Sequence, residues 1–341
     1  MTRRTYTLIV GIVALLVLGV VAARFPVQYA AMGPGVTFNT LGKDTDGKQI
    51  VQITGRTTNK TTGNLNMTTV SELDHLDLLS AIRGWLTSDE SVVPREVLFP
   101  PGETQKEIDQ QSQEDFVSSQ DSATASALAY LHYPNKVVVA GIPKGSPAKG
   151  VLAAGDVLNE VNGAPATTVD ALHATLAKVK PGSKVTVGYT RDRKPHTGTI
   201  TTTKAQKGSG AALGIEVTFQ RVAPFGVKIS LANIGGPSAG LMFALGIIQK
   251  VGKNVNLTGG KFIAGTGTID LNGKVGPIGG IPLKMIGAKR AGATVFLVPA
   301  GNCAEAKEHH PAGLRLVKVS TLSGAVTALK SLSSGGSTPT C

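Results

Sequence analysis

Ile234-Gly235-Gly236-Pro237-Ser238-Ala239-Gly240 stands between a strand-like run, Gly226 to Leu231, and a long apolar stretch that ends at Gln249-Lys250. The spacing predicts a strand over 226–231, a turn, and a helix over 239–250. Gly235 and Gly236 let the backbone reverse sharply, and Pro237 suits the first turn of a helix. Ser238 then lies at a helix N-terminus, where N–H groups lack intrahelical partners and the helix dipole favours negative charge. Gly236, Pro237 and Ala239 shape that turn, and such a turn can hold a developing oxyanion. Two readings stay open from this segment alone. Ser238 is either a nucleophile beside an anion-stabilising turn or an ordinary helix cap.

A second segment, Gly273-Lys274-Val275-Gly276-Pro277-Ile278-Gly279-Gly280-Ile281-Pro282-Leu283-Lys284, leads a turn into an apolar helix start. Lys284 is flanked by Leu283, Met285 and Ile286. An ammonium in such surroundings loses hydration, so its pKa falls. A neutral amine can take the proton of a serine hydroxyl, as histidine does in a triad. The competing reading is a solvated lysine on a helix surface. Around these segments helix and strand patterns alternate: strand 263–268, helix 282–291, strand 294–299, helix 304–309 and strand 316–319.

Upstream, residues 49–55 and 65–70 alternate as strands do. Asp74 to Leu86 has helical apolar spacing at Leu76, Leu79, Ile82 and Leu86, and Trp85 reads as a core residue. Prolines and Gly102 mark a loop over 94–102, and an Ala-rich helix is predicted over 116–133. A β-rich unit follows, with strands at 136–140, 158–161, 184–190 and 197–203 and a helix at 169–177. In it Gly145-Ser146-Pro147-Ala148 reads as the start of a short helix, and Asn162-Gly163 as a tight turn. Gly208 to Gly210 reads as a linker, and the Ser/Gly-rich end, 334–341, as a flexible tail.

Tyr6 to Ala23 contains no charge over eighteen residues, and Arg3 and Arg4 precede it. That run suffices for one membrane-spanning helix with the N-terminus in the cytoplasm. A cleaved signal peptide is the alternative, with Val21-Ala22-Ala23 as small residues near a cleavage point. The net charge of +12 comes from 34 Lys+Arg against 22 Asp+Glu, scattered along the chain rather than blocked. With aromatics at 4%, base-stacking platforms are excluded, and no nucleic-acid partner is expected. Two cysteines and six scattered histidines form no metal-ligand spacing, so no metal or other cofactor is expected. No G-x-x-x-x-G-K-[ST] phosphate loop occurs in the sequence.

Two groups of motifs resemble known families. G-S-P-A, G-D-V-L and V-N-G followed by a helix, within residues 136–203, are similar to PDZ domains of bacterial proteases. The resemblance implies that the unit takes peptide termini as an added strand. G-P-S-A-G around Ser238, and G-x-V-x-P-I-G-G-x-x-x-K ending at Lys284, resemble the Lon-type serine proteases. This implies Ser238 as nucleophile, Lys284 as general base, and Thr266 of Thr266-Gly267-Thr268-Ile269 as the lysine's support. Ala291 to Pro299 resembles the next strand of that family, while Gly235 departs from it, standing where cytoplasmic Lon enzymes usually carry Asp. Gly63 to Val70 and Phe116 to Ala123 resemble an early strand and helix of the same domain, which implies that the PDZ unit is inserted into it.

The whole resembles the membrane-anchored, PDZ-containing Lon-like proteases of bacteria. It implies an α+β fold: residues 1–5 cytoplasmic, 6–24 a transmembrane helix, 31–133 a membrane-proximal first part of the proteolytic domain, 134–206 the PDZ domain, 207–333 the domain carrying the Ser-Lys pair. It also implies an ATP-independent endopeptidase acting outside the cytoplasm on exposed or loosely folded polypeptides, as a homo-oligomer. A tethered PDZ scaffold with an inert Lon-like domain is the rival. In an extracytoplasmic setting Cys303 and Cys341 read as a disulfide, with free thiols or an intermolecular bridge as alternatives.

Overall fold

The uncharged N-terminal run forms one helix, α1 (Arg3–Arg24), whose apolar side chains stand exposed. The computed structural model describes residues 3–206, 210–232 and 234–341; Gly208 of the expected linker lies outside them. After α1 come β1 (Tyr29–Asn39), β2 (Asn64–Leu73), α2 (Leu78–Leu86), β3 (Ser91–Pro94) and α3 (Gln105–Tyr130). Then follow β4 (Asn135–Gly141), β5 (Val157–Val161), α4 (Val169–Ala177), β6 (Lys184–Arg191), β7 (Lys194–Thr201) and β8 (Glu216–Arg221). The last third holds α5 (Gly240–Val251), β9 (Phe262–Gly265), α6 (Ile281–Arg290), β10 (Val295–Pro299), α7 (Cys303–Glu308), β11 (Arg315–Val319) and α8 (Leu322–Ser333).

The chain divides into two compact units. One comprises Met1–Gln52, Thr58–Ala127 and Lys228–Cys341; the other comprises Ile53–Thr57 and Leu128–Val227. The first is built on a six-stranded sheet in the order β11-β10-β9-β2-β1-β3. β11, β10, β9 and β2 run parallel, and β1 pairs antiparallel with both β2 and β3. β10, Val-Phe-Leu-Val-Pro, is buried throughout, the pattern of a parallel strand covered on both faces. α5 is apolar apart from Gln249 and Lys250 near its end, and every one of its residues is buried.

Close backbone approach sets the place of α6. β1 changes register between Pro34 and Thr37, and a Cβ on Gly35 would collide with Thr69. Gly287 of α6 meets this point: a Cβ there would lie 2.8 Å from the Gly35 carbonyl oxygen. Two glycines thus let helix and strand touch, and this contact fixes α6 over the sheet.

The second unit is an antiparallel sheet in the order β8-β4-β5-β6-β7, with α4 against β8. Its core joins Val137, Val139, Leu158, Leu172, Leu176, Val185 and Ile200, among others. Asn162 and Gly163 both have positive φ, at 50° and 77°, as the expected tight turn requires. Asp156 is buried and accepts from Arg191 through Nε (2.8 Å) and Nη2 (2.7 Å), a bidentate pair that raises the guanidinium pKa.

Four expectations change. Trp85 is not core: it is 53% exposed, because the helical stripe Leu79, Ile82, Leu86 faces outward and only Ala81 and Gly84 of α2 are buried. No helix forms at Gly145-Ser146-Pro147-Ala148; turns run there, and the Ser146 hydroxyl accepts from the Ala148 N–H at 3.1 Å. The Ala-rich helix begins earlier, at Gln105, where Thr104 and Glu107 form a reciprocal cap (Thr104 N–H to Glu107 Oε2, 2.8 Å; Glu107 N–H to Thr104 Oγ1, 3.3 Å). Residues 334–341, expected as a flexible tail, are tied back. The Lys318 N–H donates to the Pro339 carbonyl at 3.0 Å, Arg315 donates to Thr338 at 2.9 Å, and Cys341 is bonded to Cys303.

That disulfide spans 38 residues of sequence. By the chain-entropy relation a loop of this size stabilises by up to about 4 kcal/mol. Cys341→Ser is expected to lower the unfolding free energy by about 2–4 kcal/mol. Dithiothreitol should produce the same loss in the wild type and none in the variant, measured by denaturant titration.

Candidate active site

The Lys284 Nζ lies 2.9 Å from the Ser238 Oγ, although 46 residues separate them. Three elements of the first unit meet here. α5 carries Ser238 just before its N-terminus, α6 carries Lys284 in its first turn, and the loop leaving β9 carries Thr266 and Gly267. The residue capping α5 is Ala239, with no side-chain cap, so the capping role is not the one Ser238 fills. Its hydroxyl is turned to the lysine instead.

The Ser238 carbonyl is held from one side by two donors. The Gly267 N–H donates to it at 2.8 Å and the Thr266 hydroxyl at 3.0 Å. Gly267 adopts a φ of 151° and has Val275 against the place a Cβ would fill. The Leu241 N–H returns a bond to the Gly267 carbonyl at 3.1 Å, which closes the link between α5 and the β9 loop. Having donated its proton to Ser238, the Thr266 hydroxyl presents only its oxygen to Lys284, at 3.5 Å. Its firmer contact is therefore with the serine's backbone rather than with the amine.

The other side of the turn is held by α3, which the sequence reading did not connect to it. Gln113 Nε2 donates to the Ile234 carbonyl at 2.9 Å, and Ser119 Oγ to the Pro237 carbonyl at 3.0 Å. The Gly236 N–H donates to the Ser112 carbonyl at 2.8 Å. A Cβ at Gly235 would collide with the Ser112 hydroxyl. A side chain at 235 would therefore require the Ser112 hydroxyl to move. The one sequence signal for this contact was that paired glycine.

Lys284 is 4% exposed, between the buried side chains of Leu283 and Met285. Gly280, at φ 69°, starts the helix, and its carbonyl accepts from the Lys284 N–H at 3.0 Å. No ion pair involves Lys284 among the described residues. Desolvation without a compensating charge lowers the amine's pKa to about 8. Ser238 itself is half-buried. Among the described residues no cluster of His, Cys, Asp and Glu could hold a metal ion.

Residues 232–329 match the family model of the Lon protease (S16) C-terminal proteolytic domain, and residues 110–202 match that of the PDZ domain. The chain carries a Lon-type proteolytic domain and a PDZ domain. A Lon protease of Roseiflexus castenholzii is 33% identical over 99 residues, covering 28% of this chain and 12% of that protein. Lon protease 1 of Bacillus subtilis is 36% identical over 93 residues, covering 26% of this chain and 12% of that one. The PDZ domain of an SdrC-like protein from Listeria monocytogenes, a crystal structure, is 26% identical, covering 24% of this chain and 86% of that one with a TM-score of 0.23. The matched stretch thus spans about an eighth of the length of these two Lon relatives. Ser238 and Lys284 lie inside the segment that matches the Lon proteolytic-domain model.

Because burial alone lowers the Lys284 pKa, Ser238→Ala should leave it near 8. Competitive acetylation across pH, read by mass spectrometry, is expected to give the same Lys284 midpoint in both proteins. A return toward the ordinary lysine value in the variant would mean that the serine, not desolvation, sets the shift.

Proposed function

We propose that this chain is an ATP-independent serine endopeptidase working through a Ser238–Lys284 dyad. The observation that carries the reading is the 2.9 Å approach of a buried amine without an ion-pair partner to the Ser238 hydroxyl. Neutral Lys284 takes the hydroxyl proton as the Ser238 Oγ attacks the peptide carbonyl. The oxyanion forms against N–H groups at the start of α5; Ser238 and Ala239 supply them, since the Gly236 N–H is engaged by Ser112. The tetrahedral adduct collapses to an ester on Ser238, and the leaving amine takes the proton from Lys284. Water then attacks the ester, Lys284 accepting its proton and passing it to the Ser238 oxygen as the acid product leaves, which restores both groups.

Thr266 and Gly267 keep the Ser238 backbone in register with the amine. The second unit supports peptide recognition: β8 is the last strand of its sheet and α4 lies against it, so an extended chain terminus has an open edge to join. Absence of a phosphate-loop motif in this sequence supports independence from ATP and substrates that are already exposed or loosely folded. α1 supports a single membrane span that keeps the catalytic domain outside the cytoplasm. The Cys303–Cys341 bond agrees with an oxidising compartment. Homo-oligomeric assembly rests on the family resemblance alone. The rival reading, a tethered scaffold, is disfavoured by the intact contact of Ser238 with Lys284.

A fluorophosphonate probe should label the wild type and not Ser238→Ala. Both Ser238→Ala and Lys284→Met are expected to lose ~10³-fold or more in cleavage of an unfolded protein substrate. Protonated Lys284 cannot accept a proton, so kcat/KM should rise tenfold per pH unit below the folded pKa of about 8 and level off above it. Cleavage and labelling absent from pH 7 to about 10 would sink the enzyme reading and leave the scaffold.

A further inference from the structure

Helix α2 has its apolar stripe on the outside. Leu79 is 47% exposed, Ile82 41%, Trp85 53% and Leu86 83%. Its buried residues are the small ones, Ala81 and Gly84, and Gly84 is small because Val92 packs where its Cβ would be. Trp85 touches Tyr29 edge-on, with ring centroids 5.1 Å apart, and its indole N–H makes no hydrogen bond among the described residues. Such a helix is set against its sheet by its narrow face and, among the described residues, leaves much of its wide apolar face exposed.

This face starts where α1 ends. Phe25, the residue after α1, is 59% exposed, and its carbonyl accepts from the Leu78 N–H at 3.2 Å. The Val27 N–H donates to the Leu76 carbonyl at 2.9 Å, and Pro26 bridges to Asp77, the residue that caps α2. Backbone pairing therefore pins the first turn of α2 to the exit of the apolar helix. We propose that α2 lies in the interfacial layer of the bilayer that α1 crosses, with Phe25, Leu79, Ile82, Trp85 and Leu86 at the boundary of headgroups and acyl chains.

The inference rests on α1 being a membrane span. Lipid, rather than a second protein, is the occupant because the face continues directly from the exposed apolar surface of α1. A tryptophan with an apolar body and a free N–H also suits the headgroup level. Arg83, the one cation on α2, is paired with Glu90 at 3.1 Å. Apolar burial is then the driving term, and zwitterionic lipid suffices. The consequence is a second contact that keeps the sheet, through β1 and α2, close to the membrane surface instead of swinging on a single tether.

Trp85 is the only tryptophan, so its emission reports on this helix alone. The full chain, reconstituted in phosphatidylcholine vesicles, should show blue-shifted emission that is protected from iodide. Lipids brominated near the carbonyl end of the acyl chain should quench it more than lipids brominated near the middle. Replacing Leu79, Ile82 and Leu86 together by serine, all at exposed sites, should restore iodide access and remove the bromolipid quenching. Alkaline carbonate extraction separates the two ideas. Release of the wild type would remove the span reading and this inference with it. Retention without bromolipid quenching would remove this inference alone, including the case in which iodide protection persists and another protein covers the face.

Discussion

One unpaired amine organises this site. Lys284 is taken out of water with no acidic partner, which is costly for an ammonium and acceptable for a neutral amine. The cost is met by the fold around it: α6 is seated by the contact of Gly287 with the Gly35 carbonyl, and its buried face carries Ile281, Leu283 and Met285. A lysine with a carboxylate neighbour would stay charged near neutral pH, and a solvated one likewise. The proton-accepting role proposed for Lys284 follows from keeping water and acids away from this one nitrogen.

The serine needs a different kind of support. Its side chain faces the lysine only while its backbone stays fixed, and that backbone lies in a glycine-rich turn with little stiffness of its own. Rigidity comes from hydrogen bonds on both sides. Thr266 and Gly267 hold the Ser238 carbonyl, while Ser112, Gln113 and Ser119 of α3 hold the turn from Ile234 to Pro237. Gly235 packs against Ser112 of α3 at this contact.

In α1 and α2 the balance of burial is reversed. α1 and α2 leave large apolar side chains exposed, whereas the interior helix α5 is buried on every side. In water such exposure would be unfavourable at about 25 cal/mol per Å². Next to a bilayer the same surface becomes an anchor. The unit thus holds both a buried apolar core and an exposed apolar face, a distinction that hydropathy alone does not draw.

Much was legible in the chain itself. The turn at Asn162-Gly163, the apolar period of α5 and the residue types at 238 and 284 are local features, and local features survive in a linear reading. What the sequence could not determine is which faces meet. The 3.6-residue stripe of Leu79, Ile82 and Leu86 is as regular as that of a core helix, yet it stays exposed. β8 joins the sheet of the second unit from beyond the expected end at 206, through pairing with β4. The grip of α3 on the nucleophile turn and the dryness around Lys284 arise from segments more than a hundred and about forty-six residues apart. Periodicity is set by neighbours in the chain; burial, and with it the lysine's pKa, is set by distant elements that only the folded arrangement brings together.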